Sequence, residues 1–232
     1  MSLIKQISKY APKPIISILR PIYRKSRSRL LSLADSLKLI NPSTIYNEDY
    51  YAKRQEDPWR SDAHTVSRAI KDQFNPNSVI DFGCAIGAHL EIFHDHDIRI
   101  KGVEGNPDAF QHAIVPTEYL VQHDLREPYK SDRSYDIALC FEVAEHLPED
   151  YANILVDTLS NASNTVIMTA APPGQGGTHH VNEQPREYWY QKFESRGFEY
   201  DSESVQTLRN RIEVNEAHWI EENLMIFRST DD

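Results

Sequence analysis

Two acids, two glycines and two histidines in the middle of the chain carry chemistry that residue type and spacing alone disclose. Asp81 precedes Gly83 and Gly87 in the stretch Val79-Ile80-Asp81-Phe82-Gly83-Cys84-Ala85-Ile86-Gly87. Glycine lacks a Cβ, so such a turn can be sharp and a ligand can lie against its backbone, at the N-terminus of a following helix. Glu104 comes 23 residues after Asp81, close to the roughly 20 at which an acid in a strand–helix–strand unit reaches ribose hydroxyls. A carboxylate there accepts from both hydroxyls at once, which makes this a seat for a nucleotide-like cofactor. His180 lies in the loop Pro172-Pro173-Gly174-Gln175-Gly176-Gly177-Thr178-His179-His180-Val181-Asn182, where flexible glycines flank paired histidines and an asparagine. It is the first choice for a base that removes an acceptor proton, and His146 is the second. The adjacent histidines also raise metal binding. Neighbouring side chains in an extended segment point apart, however, and no other ligand set has suitable spacing, so no metal is expected.

These residues need elements to position them, and the chain alternates strand with helix. Val79 onward forms a strand, a turn and a helix. Ile98 to Val103 alternates and ends in Glu104-Gly105-Asn106-Pro107, where Asn106 suits an N-cap and Pro107 a first helical residue. Tyr119 to Leu125 gives a third strand, and the apolar Asp136 to Phe141 reads as a buried parallel strand. A helix from Pro148 carries Tyr151, Ile154, Leu155 and Leu159 on one face, and Thr165 to Thr169 is a fifth strand. Pro185 opens a helix that Gly197 ends, and Phe198 to Tyr200 and Asn223 to Arg228 supply two more strands around a helical Ser202 to Ile212. Ala63 to Phe74, with Val66, Ala69 and Ile70 at helical spacing, packs ahead of them. The pattern specifies a doubly wound α/β domain, in which sites collect at the carboxyl ends of the strands.

The stretch around Asp81 resembles the first motif of the class I S-adenosylmethionine-dependent methyltransferases, an acid followed by a G-x-G-x-G loop. Asp81, Gly83 and Gly87 match, and Ala85 stands where the middle glycine belongs. A dinucleotide fingerprint requires glycine at 83, 85 and 88 and is met only at 83. Glu142-Val143-Ala144-Glu145-His146-Leu147-Pro148 resembles the fourth-strand motif of small-molecule and glycan methyltransferases, and the loop ending in His-Val-Asn resembles one found in a subset of them. The Asn- or Asp-Pro-Pro-aromatic sequence of DNA amino-methyltransferases is absent. The resemblance spans about residues 60–230. It implies a Rossmann-like seven-stranded sheet with the last strand antiparallel, and S-adenosyl-L-methionine as cofactor. It further implies that Asp124 receives the adenine amino group, that the Leu125 amide serves the ring, and that Glu142 opens the loop beside the cofactor. The activity implied is methyl transfer to a small-molecule or glycan-like acceptor, most simply to a hydroxyl oxygen. A non-catalytic S-adenosylmethionine-binding module and a nicotinamide-dependent oxidoreductase are the alternatives.

Composition bounds the rest. The 232 residues, 40% hydrophobic, suit one domain at 45–232 with a basic amphipathic extension at 1–44. Residues 1–40 hold nine Lys or Arg against Asp35 alone, a charge of +8, which leaves −18 on the remainder. The main body therefore repels nucleic acid. The extension can contact anionic lipid, pack on the domain, or act as a transit segment. Tyr46, Tyr50, Tyr51 and Trp59 can close over a cofactor or cover a core edge. Two cysteines, Cys84 and Cys140, fit a reducing compartment, and no apolar run is long enough to span a bilayer. A cytoplasmic protein, peripheral at a membrane surface if the extension binds lipid, is expected.

Overall fold

The computed structural model describes residues 45–230 and, ahead of them, only the helical position Ala34. The basic extension at 1–44, with the lipid contact considered for it, lies outside the described residues. Seven strands form one sheet: β1 (Ser78–Phe82), β2 (Arg99–Glu104), β3 (Leu120–Gln122), β4 (Ile137–Cys140), β5 (Thr165–Met168), β6 (Phe198–Tyr200) and β7 (Met225–Ser229). Their order is β3-β2-β1-β4-β5-β7-β6. The first five pair in parallel, and β7 runs antiparallel to both β5 and β6. The chain reverses direction across the sheet between β1 and β4, the position where doubly wound sheets open a crevice.

Among the described residues seven α-helices cover the sheet: α1 (Glu48–Arg54), α2 (Trp59–Phe74), α3 (Ala88–His94), α4 (Ala152–Ala162), α5 (Arg186–Glu194), α6 (Ser202–Arg209) and α7 (His218–Asn223). The strands β1 and β4 are buried along their whole length, as strands covered on both faces must be. One face packs Val66 and Ile70 of α2, Leu90 and Phe93 of α3 and Leu208 of α6 against Val79, Leu139 and Ile167. The other packs Leu155 and Leu159 of α4 and Trp189 and Phe193 of α5 against Ile80, Ala138 and Phe227. Each such side chain taken fully from water stabilises the fold by about 1.5–3 kcal/mol. The helix α2 stops where expected, at Asn75 in the left-handed conformation with φ 45°.

Two details depart from expectation. Asn106 caps as anticipated, accepting from the Asp108 amide at 3.1 Å, but the turn it opens is a 3-10 helix over Pro107–His112. The six-residue α7 is too short for a periodic signal. It is placed by contacts distant in sequence, with Trp219 against Trp59 and the Asp62 carboxylate accepting from the amides of Asn215, Glu216 and Ala217. Burial alone would raise the Asp62 pKa, and these bonds outweigh it and hold the group below its usual range. Among the described residues no helix is long and apolar enough to cross a membrane.

Candidate functional site

A cavity of about 340 Å³ opens at the carboxyl ends of the central strands. Four separate stretches wall it: Gly83 and Ala85 after β1, Glu104 to Pro107 after β2, Asp124 to Arg126 after β3, and Glu142, Val143, His146 and Leu147 after β4. Tyr46, Tyr50, Tyr51 and His179 complete the lining. The volume is in the range of small-molecule sites.

At one end the polar groups are bound into the backbone. Glu104 accepts from the Ala85 amide at 2.9 Å and the Asn106 amide at 2.7 Å. Burial pushes its carboxyl up, and the amides of Asn106, Ala85 and Gly105 oppose the shift. Each oxygen keeps a lone pair for a ligand hydroxyl. Ala85, in the middle-glycine position, adopts the left-handed φ of 48° that a glycine would take without strain. Gly83 needs its φ of 77°, and a Cβ there would sit 2.3 Å from the Val143 side chain. Gly87 is left-handed too, but it leaves room for Val115 and does not line the cavity. Its part in the site is to start α3.

Asp81 also stays off the cavity wall. It is 2% exposed at the end of β1, and its Oδ2 has no hydrogen-bond partner. Burial, then the charge of Glu104, raise its pKa to about 7. Asp124 is held by Arg126, whose Nε lies 2.9 Å from Oδ1 and whose Nη2 lies 2.7 Å from Oδ2. This ring of acids, with one buried oxygen left unsatisfied beneath it, fits the adenosine part of S-adenosylmethionine, where Glu104 would hold the ribose and Asp124 with Leu125 the base.

The other end is unsatisfied. Glu142 has φ 55°, donates its amide to Thr169 Oγ1 at 2.9 Å, and leaves Oε1 without a partner. Glu145 is 0% exposed, and neither of its oxygens makes a hydrogen bond. Its own amide and that of Ala171 soften its charge without reaching hydrogen-bond geometry, and its side chain lies directly against that of Glu142, two acids with no donor between them. Burial, followed by the charge of Glu142, pushes the Glu145 carboxyl well above its usual range. His146 turns Nδ1 toward the His179 carbonyl at 3.3 Å, and burial, then the nearby His180, lower its pKa to about 3. The His180 ring lies 5.1 Å from that of His146, with Nδ1 3.1 Å from Glu183 Oε1. Burial lowers its pKa and Glu183 opposes the shift.

Two loops are stitched together to make this end. The amides of Val181 and Asn182 both donate to the Glu145 carbonyl, at 2.9 and 3.1 Å. His179 has φ 57°, so the segment is not extended there, and the histidine on the cavity wall is His179 rather than the expected His180. His179 lines the cavity, and His180 stands behind His146. Coordinating atoms of Glu145, His146 and His180 lie within 4.8 Å of one another, a grouping the sequence reading did not anticipate.

The aromatic stretch divides. Tyr46, Tyr50 and Tyr51 line the cavity, tied down by Asn106 Nδ2 donating to the Tyr46 carbonyl at 2.7 Å, whereas Trp59 packs on Trp219. Sequence reasoning passed over Arg126, Asn106 and Glu145 as site residues. Only Glu145 had a signal, its place in the Glu-His pair.

Comparison with known proteins follows this geometry. A family profile described as "Methyltransferase domain" matches residues 51–211. Curated proteins yield no match. Among solved structures, the sugar N-methyltransferase KedS8 from Streptoalloteichus sp ATCC 53650 superposes with a TM-score of 0.58 at 14% identity, over 78% of this chain and 91% of that one. CalS10, a SAM-bound amino pentose methyltransferase from Micromonospora echinaspora, gives 0.56 at 16% identity, over 76% and 93%. The small RNA methyltransferase HEN1 gives 0.51 at 19% identity over 72% of this chain, which spans only 25% of HEN1. These likenesses establish the fold, and the profile match over most of the chain establishes the family: the chain belongs to the methyltransferase-domain family.

Proposed function

We propose that the protein transfers a methyl group from S-adenosyl-L-methionine to a hydroxyl oxygen of a small-molecule or glycan-like acceptor. The observation that carries this reading is one cavity with two unlike ends, backbone-held acids at Glu104 and Asp124 facing Glu142, His146 and His179. The cofactor supplies a methyl group already activated on a sulfonium, so the protein has to position it in line and manage one acceptor proton. Glu104, Asp124 and Leu125 hold the nucleoside. Tyr46, Tyr50 and Tyr51 close over it and exclude water. The acceptor hydroxyl is activated at the end where His146 and His180 stand, the residues to which the sequence assigns its proton. The structural neighbours include sugar and RNA methyltransferases; the −18 charge outside residues 1–40 favours the former class.

Calorimetric titration with S-adenosylmethionine and with a nicotinamide dinucleotide separates this reading from the oxidoreductase. Mass spectrometry of extracts incubated with isotopically labelled donor identifies the acceptor and separates it from a non-catalytic module. Failure to bind S-adenosylmethionine overturns the reading. The +8 extension is read as docking the enzyme on anionic lipid, and co-sedimentation of the full chain with anionic liposomes tests it.

A further inference from the structure

The carboxylate of Glu145 poses a problem that the methyl-transfer reading leaves open. It is 0% exposed and neither oxygen has a hydrogen-bond partner, while the unpartnered Oε1 of a second acid, Glu142, stands nearby at the cavity wall. An acid buried in this way stays charged only where a cation or hydrogen-bond donors meet it. Its neighbours His146 and His180 each direct Nδ1 at an oxygen, of the His179 carbonyl and of Glu183. A ring held in this way through one nitrogen presents the lone pair of the other, which is the outer-shell arrangement typical of metal-binding histidines.

We propose that Glu145, His146 and His180 hold a divalent first-row transition-metal ion at the acceptor end of the cavity, with Glu142 beside it on the wall. The grouping of coordinating atoms within 4.8 Å supports this directly. Two imidazoles and a carboxylate suit manganese, iron, cobalt or zinc, whereas magnesium and calcium favour sets made of oxygen alone. The proposal rests on the methyl-transfer reading and deepens it by naming what activates the acceptor. A cation held by these residues lowers the pKa of a hydroxyl that reaches it, and so takes over the activation otherwise assigned to a bare histidine. The hydroxyl proton leaves to solvent, and an oxygen lone pair forms the new bond to the methyl carbon. The carbon–sulfur bond breaks with its electron pair retained by sulfur, giving an ether and S-adenosylhomocysteine.

The test uses the full chain stripped with a chelator. Titration with Mn²⁺ alone, followed by electron paramagnetic resonance, and with Zn²⁺ alone, followed by calorimetry, should each show one saturable ion per chain. Glu145→Gln and His180→Ala should each weaken binding on the order of 100-fold. S-adenosylmethionine affinity should persist in both variants and serves as the check that they fold. Absence of saturable binding to the wild-type chain, or wild-type affinity in both folded variants, overturns the metal site. A wild-type chain that binds S-adenosylmethionine but no metal loses only this proposal. One that binds metal but no S-adenosylmethionine loses the methyl-transfer reading.

Discussion

The two ends of the cavity are built on opposite principles. Around Glu104 the carboxylate oxygens are matched by the amides of Ala85 and Asn106, so the acid is fixed whether or not a ligand is bound. Around Glu145 two acids and two histidines crowd together with three carboxylate oxygens unsatisfied. The first end is pre-organised by the chain itself, whereas the second leaves its acids without hydrogen-bond donors. That division suits an enzyme that holds one fixed cofactor and activates a separate acceptor.

The largest break in this comparison should come from His180→Ala. Turnover should fall by roughly 10²–10⁴-fold while S-adenosylmethionine affinity stays near that of wild type. Steady-state kinetics beside calorimetry measures both, and an equal loss in the two would mean that the ends are not separable.

Glu104→Ala tests the other end. Loss of charge-assisted bonds to the ribose should weaken S-adenosylmethionine binding by about 2–4 kcal/mol, with the fold retained. Unchanged affinity in calorimetry would remove Glu104 from the cofactor seat.

A third measurement separates the proton balance of the scaffold from that of the site. His89 packs on Phe141 at 4.7 Å, and burial, then His64, lower its pKa to about 4. An unfolded histidine titrates near 6.5, so between these values the unfolded chain binds the extra proton and stability declines as the pH is lowered. The contribution is complete above about pH 6.5 and lost by about pH 4, amounting to as much as about 3 kcal/mol. Urea denaturation across this window should show it, and His89→Gln should flatten that part of the profile.

The smallest effect is expected at Ala85. Replacing it by glycine removes a left-handed strain of about 1 kcal/mol, offset in part by the greater freedom of the unfolded chain. Stability should therefore change by less than about 1 kcal/mol and S-adenosylmethionine affinity by little. A marked loss of affinity would show that the alanine methyl touches the cofactor.

Much of the first end was legible in the sequence because its residues follow directly on strands. Asp81 and Glu104 stand at the ends of β1 and β2 and Asp124 just after β3, positions at the carboxyl edge that strand–helix alternation dictates, and local spacing carries that information. The roles of Gly83 and Gly87 were legible only in part. Their turn is local, but the partners that fill the space beside them, Val143 and Val115, come from elsewhere in the chain.

The second end depends on two loops that are 33 residues apart at the contact between His146 and His179. Sequence alone determined the α/β class, the seven-stranded sheet with its last strand antiparallel that the resemblance implied, and the candidacy of His146 and His180. Tertiary structure decided that Glu145 joins them, that His179 rather than His180 faces the cavity, and that Trp59 leaves the aromatic cover for Trp219. The physical reason is that a strand's period and a turn's glycine act over a few neighbouring residues. The Glu145 carbonyl, by contrast, finds the Val181 and Asn182 amides only once β4 and β5 lie side by side.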